Sequence, residues 1–164
     1  MTLVRAMALA GLIAIAGAGA AQAQLATVPQ QLTIGYDHEG TIDATPQACL
    51  ELVKEITQWD KAQTEKGARD VCAARKRHVD AYNALQANYR SFVKAFSADR
   101  RLNLPEAVES FKTLVKACID HKFGLTTGGH NIMIDIIEND IATSCLTLGS
   151  NLLREETAKY AAPR

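Results

Sequence analysis

The sequence carries no excess of charge: 18 Lys and Arg stand against 18 Asp and Glu. A chain so balanced offers no electrostatic footprint for nucleic acid or for an anionic membrane surface. After the first 23 residues, no apolar run approaches the roughly 20 residues that a membrane span needs. Nowhere does alternation of apolar and polar residues persist long enough to argue for a sheet domain. Catalytic signatures are missing as well. The chain has no Gly-x-Ser-x-Gly around a nucleophilic serine and no phosphate-cradling loop with its Lys and Ser/Thr. It also has no Cys-x-x-Cys-His for covalent haem. No catalytic residue, cofactor or metal-ligand set is therefore expected, and an enzyme is the lesser reading.

What is present begins with MTLVRAMALAGLIAIAGAGAAQAQ. One cation, Arg5, precedes an uncharged stretch from Ala6 to Ala21 made almost wholly of Ala, Gly, Leu and Ile. Ala21-Gln22-Ala23 ends it in the pattern that signal peptidase cuts, which places cleavage between Ala23 and Gln24. The stretch is too short and too rich in Ala and Gly for a lasting anchor. No Cys adjoins the cut, so a lipid-modified N-terminus is not expected. The compact, Ala-rich signal points to the periplasm or the medium. Cleavage removes Arg5, leaving 17 basic against 18 acidic residues in a chain of 141. That length suits one domain with a single core. Residues 1–23 thus read as a cleavable signal, 24–44 as an extended N-terminal arm and 45–160 as a helical domain.

Cys49, Cys72, Cys118 and Cys145 all follow the cut. An even count in an exported chain predicts disulfides, and the residues alone leave three connectivities open.

Residues 24–44 show no helical period, although Leu32-Thr33-Ile34 could lie extended. Thr45 suits an N-cap and Pro46 the first helical position. Apolar residues at Cys49, Leu52 or Val53, Ile56 and Trp59 then predict a helix running to a stop at Lys66-Gly67. A longer helix is predicted from about Arg69 to Ser97. Its seam is His78, Tyr82, Leu85, Tyr89, Phe92 and Phe96. Asn103, Pro105 and Glu106 form the start of a third helix, with a capping box, and Gly124 ends it. Its stripe is Leu104, Val108, Phe111, Val115, Cys118 and Ile119. Asn131 caps a fourth, with the stripe Ile134, Ile137, Ile141, Cys145, Leu148 and Leu152. These segments predict an all-α, four-helix bundle-like single domain, stapled by disulfides. In a simple up-down bundle Cys49 and Cys72 stand roughly 20 Å apart, far beyond the span of a disulfide. Pairing them requires the first helix to end early or bend back.

Few side chains offer themselves for chemistry. His38, in Tyr36-Asp37-His38-Glu39-Gly40, reads best as part of a solvated turn. His130, after Gly128-Gly129, reads as part of a connector. Cys118 and His121 have a Cys-x-x-His spacing, but an oxidising compartment favours a disulfide at Cys118. Asp135 and Glu138 read as a solvated helix face. His78 on an apolar seam could ligate haem, with Met133 as partner, or be a hydrogen-bonded core residue. Tyr82 and Tyr89 belong to a stripe that is core or a partly open groove. His78, His121, Tyr82 and Tyr89 are the candidate ligand-binding residues. The leading expectation is a small exported protein that acts by binding another protein, as an inhibitor, immunity factor, adaptor or chaperone. The alternative is a periplasmic carrier of a small ligand, haem or a metal held between helices.

Overall fold

Thr45 and Pro46 start the first helix as their chemistry predicts: the Thr45 hydroxyl accepts from the Ala48 N–H at 3.4 Å. Asn131 does the same for the last helix, accepting from the Ile134 N–H at 2.9 Å. The computed structural model describes residues 27–36, 39–97, 102–124 and 131–161. Its helices are α1 (Pro46–Ile56), α2 (Lys61–Phe96), α3 (Leu104–Phe123) and α4 (Ile132–Ala161). No strand occurs among the described residues. The architecture is all-α and bundle-like. At Asn103 the capping box forms only in part. Its amide meets the Glu106 carboxylate at 3.1 Å, but its side chain caps no backbone N–H.

α1 stops ten residues before the expected Lys66. The reason lies in Thr57 and Asp60. Thr57 is extended, and both its N–H and its hydroxyl donate to the Val53 carbonyl, at 3.0 and 2.8 Å. Asp60 then caps α2 by accepting from the Gln63 N–H at 2.9 Å. Gly67, expected to stop a helix, lies buried inside α2. A Cβ there would sit 2.7 Å from Trp59 Cζ3, so the indole occupies the space that any other side chain would need. This close approach explains a glycine in a helix interior, where it costs about 1 kcal/mol relative to alanine.

The early turn also settles the cysteines. With α1 folded back at residues 57–60, Cys49 and Cys72 stand 5.6 Å apart between Cα atoms and are bonded. Cys118 and Cys145 pair across α3 and α4 at 5.9 Å.

α2 and α4 form the main helix pair, while α1 packs on α2 and α3 on α4. The arm supplies Val28, Leu32, Ile34 and Tyr36 to a core shared by α2, α3 and α4. A second, smaller cluster joins Cys49 and Val53 of α1 to Val71 of α2 and Ile132 of α4. The α2 seam is as expected, except that Tyr82 is only half-buried. The α3 stripe is buried at Leu104, Val108, Val115 and Ile119.

The α4 stripe is only in part the expected one: Cys145 is buried, and Ile134, Ile141 and Leu152 are half-buried. Ile137 and Leu148 are 40% and 52% exposed, whereas Asn139, Ala142, Leu146, Ser150 and Leu153 are buried. Apolar residues lie around most of this helix, so the face is chosen by fit. Small residues let the neighbours approach. A Cβ at Gly149 would meet Val115 Cγ2 at 2.8 Å and Phe111 Cζ at 3.1 Å. Asn88 reaches across to donate to the Ser150 hydroxyl at 2.7 Å. Replacing Gly149 with valine should therefore destabilise the fold by about 1–3 kcal/mol, read as a lower denaturation midpoint. An unchanged midpoint would show that α3 and α4 do not meet as closely as described.

Candidate functional site

His78 sits where the arm, α2 and α4 cross, and it is 4% exposed. Its Nε2 lies 2.7 Å from the Tyr36 hydroxyl and its Nδ1 lies 3.0 Å from Asn139 Oδ1. The Asn139 amide nitrogen donates to the Asp135 carbonyl at 2.8 Å, which fixes the orientation of the amide. Its oxygen can only accept, so His78 Nδ1 carries a proton. In the neutral ring Nε2 is then an acceptor, and Tyr36 donates to it. Burial, and after it the Glu39 carboxylate and the Tyr82 phenol, push the Tyr36 hydroxyl well above its usual range. It remains a donor throughout the physiological range.

The network continues outward. Arg75 grips the Asp135 carboxylate with Nε and Nη2, at 3.3 and 2.9 Å, and donates from Nη1 to the Asp43 carbonyl at 3.2 Å. Asp135, expected on a solvated face, is instead half-buried and paired. Tyr36, His78, Asn139, Asp135 and Arg75 thus form one continuous relay that ties the arm and α4 to α2. Beside it opens a cavity of about 350 Å³, walled by Thr41, Asp43, Arg75, His78, Phe123 and Glu138.

Chemically the relay is saturated. Both ring nitrogens of His78 are engaged, and a haem iron would have to displace Tyr36 to reach Nε2. Met133, the suggested second axial ligand, is 63% exposed at the surface. Tyr89 is buried and donates to the Pro29 carbonyl at 2.7 Å. Tyr82 accepts from Gln31 at 2.9 Å. Tyr89, Phe92 and Phe96 are therefore core, while Tyr82 is half-buried, and Tyr82 and Tyr89 border an open groove between α2 and the arm. His121 is exposed on the last turn of α3, and its neighbour Cys118 is bonded to Cys145. No group of three or more His, Cys, Asp or Glu residues placed to hold a metal occurs among the described residues. His38 and His130 lie outside the described residues.

The structure gathers one site that the sequence reading missed. Ile56 and Trp59, Gly67 of α2, and Ile132, Met133 and Ile136 of α4 line an open groove of about 690 Å³. Trp59 is 46% exposed there, beside the still more exposed Met133. Trp and Met are enriched at protein interfaces, and Met adapts its shape to varied partners. The available signal was Trp59 directly before the capping residue Asp60, but the spacing had placed it within a helix stripe.

Compared with family models, curated proteins and solved structures, the chain matches none.

Replacing Tyr36 with phenylalanine leaves His78 Nε2 buried without its donor and should cost about 1–3 kcal/mol. The same variant tests a pH dependence. Unfolded, Tyr36 ionises near pH 10; folded, it ionises higher. Its contribution to stability is thus complete below about pH 10 and is lost as the pH rises from there toward the folded value. Urea midpoints should fall less steeply above about pH 10 in Tyr36→Phe than in the wild type. Parallel curves would refute the buried hydroxyl.

Proposed function

We propose that this protein is an exported, non-enzymatic module that binds another protein, of inhibitor, immunity, adaptor or chaperone type. The groove formed by Trp59, Ile132, Met133 and Ile136 carries the reading. Large apolar side chains gathered in one concave surface, rather than scattered singly, are the usual mark of an interaction site. In this reading residues 1–23 are the cleaved signal and the destination is the periplasm or the medium. Two disulfides fit an oxidising compartment, and no described helix is long and apolar enough to cross a membrane. The carrier reading has less support, since His78 is engaged at both nitrogens.

The test places a photo-reactive side chain at Met133, with a control at the exposed Thr113 of α3, in the native cell envelope. Position 133 should give a cross-linked product of one discrete mass that contains a second protein. Trp59→Ala should lower its yield several-fold, on the scale of losing an interface anchor of about 1–2 kcal/mol. Equal products from both positions, or none from either, would sink the proposal.

A further inference from the structure

A different groove, of about 910 Å³, runs along α2 beside the arm. It is lined by Val28 and Gln30 of the arm and by Tyr82, Asn83, Arg90 and Lys94 of α2, and among the described residues no acid contributes to it. Arg90 and Lys94 are exposed, one helical turn apart, and neither side chain has an ion pair or hydrogen bond among the described residues. Elsewhere the exposed helical cations divide: Lys54, Lys66, Arg69 and Arg154 are also without an ion pair among the described residues, while five lysines have partners on their own helix. Lys61, Lys76, Lys112, Lys116 and Lys159 each pair with an acid three or four residues away. From Ala81 to Phe96, α2 carries Arg90 and Lys94 and no acid at all. Like charges at this spacing repel and destabilise a helix, so an anion lying across the pair would relieve a repulsion present in the free protein.

The rest of the groove matches a peptide better than a polyanion. Two cations are few for a nucleic acid or an anionic membrane, whose affinity grows with the number of charges neutralised. Beside the groove, α2 already holds an extended main chain. Gln86 exchanges hydrogen bonds with Leu32 N–H and C=O at 3.0 and 2.6 Å, and Tyr89 donates to the Pro29 carbonyl. Within the groove, the exposed Gln30 and Asn83 amides have no partner among the described residues. Each offers a donor and an acceptor suited to another main chain. Val28 and Val93 form an apolar floor beneath them.

We propose that this groove binds an extended segment of another protein, with an acidic side chain lying across Arg90 and Lys94. The Asn83 and Gln30 amides hold its main chain, and an aliphatic residue rests on Val28 and Val93. The site is separate from the Trp59 groove and does not depend on the function proposed for it.

The experiment selects random displayed peptides of about ten residues, an extended-segment length, against the oxidised chain. Selected peptides should be enriched in Asp or Glu. A synthetic copy of the best one should shift backbone amide resonances within 28–31 and 83–94. Changing its acids to amides should weaken binding about tenfold, as should the Arg90→Gln/Lys94→Gln double variant, on the scale of charge-assisted contacts. Both substitutions are at exposed positions, so circular dichroism should show an unchanged fold. The proposal is overturned by selected peptides without acid enrichment, by shifts confined to other residues, or by full affinity in the double variant. Failure to select any peptide also overturns it. Phosphatidylglycerol vesicles bound through Arg90 and Lys94 in that last case would assign the surface to a lipid instead.

Discussion

An extended backbone buried without a sheet must find its hydrogen bonds in side chains, because an orphaned N–H or C=O in a core costs as much as a lost hydrogen bond. Leu32 is in that position, fully buried with no neighbouring strand. The Gln86 amide meets both of its main-chain groups at once, accepting from the N–H and donating to the C=O. A carboxylate at position 86 could only accept, and a serine would fall short. With Leu32 held against α2, Ile34 and Tyr36 enter the core at the next alternate positions. Tyr36 then reaches His78 and donates to the ring nitrogen that the Asn139 contact leaves as an acceptor.

The relay shows how polar groups come to stand inside so small a protein. Every buried member has a partner whose direction is set by the next: Asp135 orients Asn139, Asn139 orients His78, and His78 receives Tyr36. A half-satisfied network would be worse than an apolar core, so the order in which these residues meet is as constrained as packing. The same constraint acts on α4. To bring Asn139 to His78 and Ser150 to Asn88, that helix must turn its small and polar face inward, which leaves Ile137 and Leu148 partly in water.

Local chemistry was legible in the sequence at most places where it needed no distant partner, the Asp60 cap of α2 being the exception. Thr45 with Pro46, and Asn131, begin helices because a cap is a contact between residues three apart. The seam of α2 could be read from spacing, since its apolar residues occupy one face and polar ones the other. Gly67 was misread because its reason for being glycine is Trp59, a tertiary contact. Once the end of α1 was misplaced, the Cys49–Cys72 bond became invisible, for it depends on where that helix turns back. The inward face of α4 was illegible for a different reason. A helix with apolar residues on most sides does not declare its orientation. His78 was legible as a core histidine, but its partners stand 42 and 61 residues away, and no local pattern links them. The Trp59 groove arises from the same missed turn.

That groove is stiff on both sides. One wall is Ile56, the last residue of α1, with Trp59 in the short turn that joins α1 to α2, and α1 is bonded to α2 through Cys49–Cys72. The other, Ile132, Met133 and Ile136, stands on α4, which the two-point Arg75–Asp135 pair fastens to α2 one turn further along. Beneath them Val53, Val71 and Ile132 form a continuous apolar cluster. A surface whose walls are fixed before contact loses less conformational entropy on binding than one that must first be ordered. The interior has spent its polar groups on one another and its cysteines on disulfides, so the binding proposed for this protein falls to the outer faces. On those faces rigidity and unspent side chains coincide at the groove, where Trp59 and Met133 remain in water above a core that cannot shift to cover them.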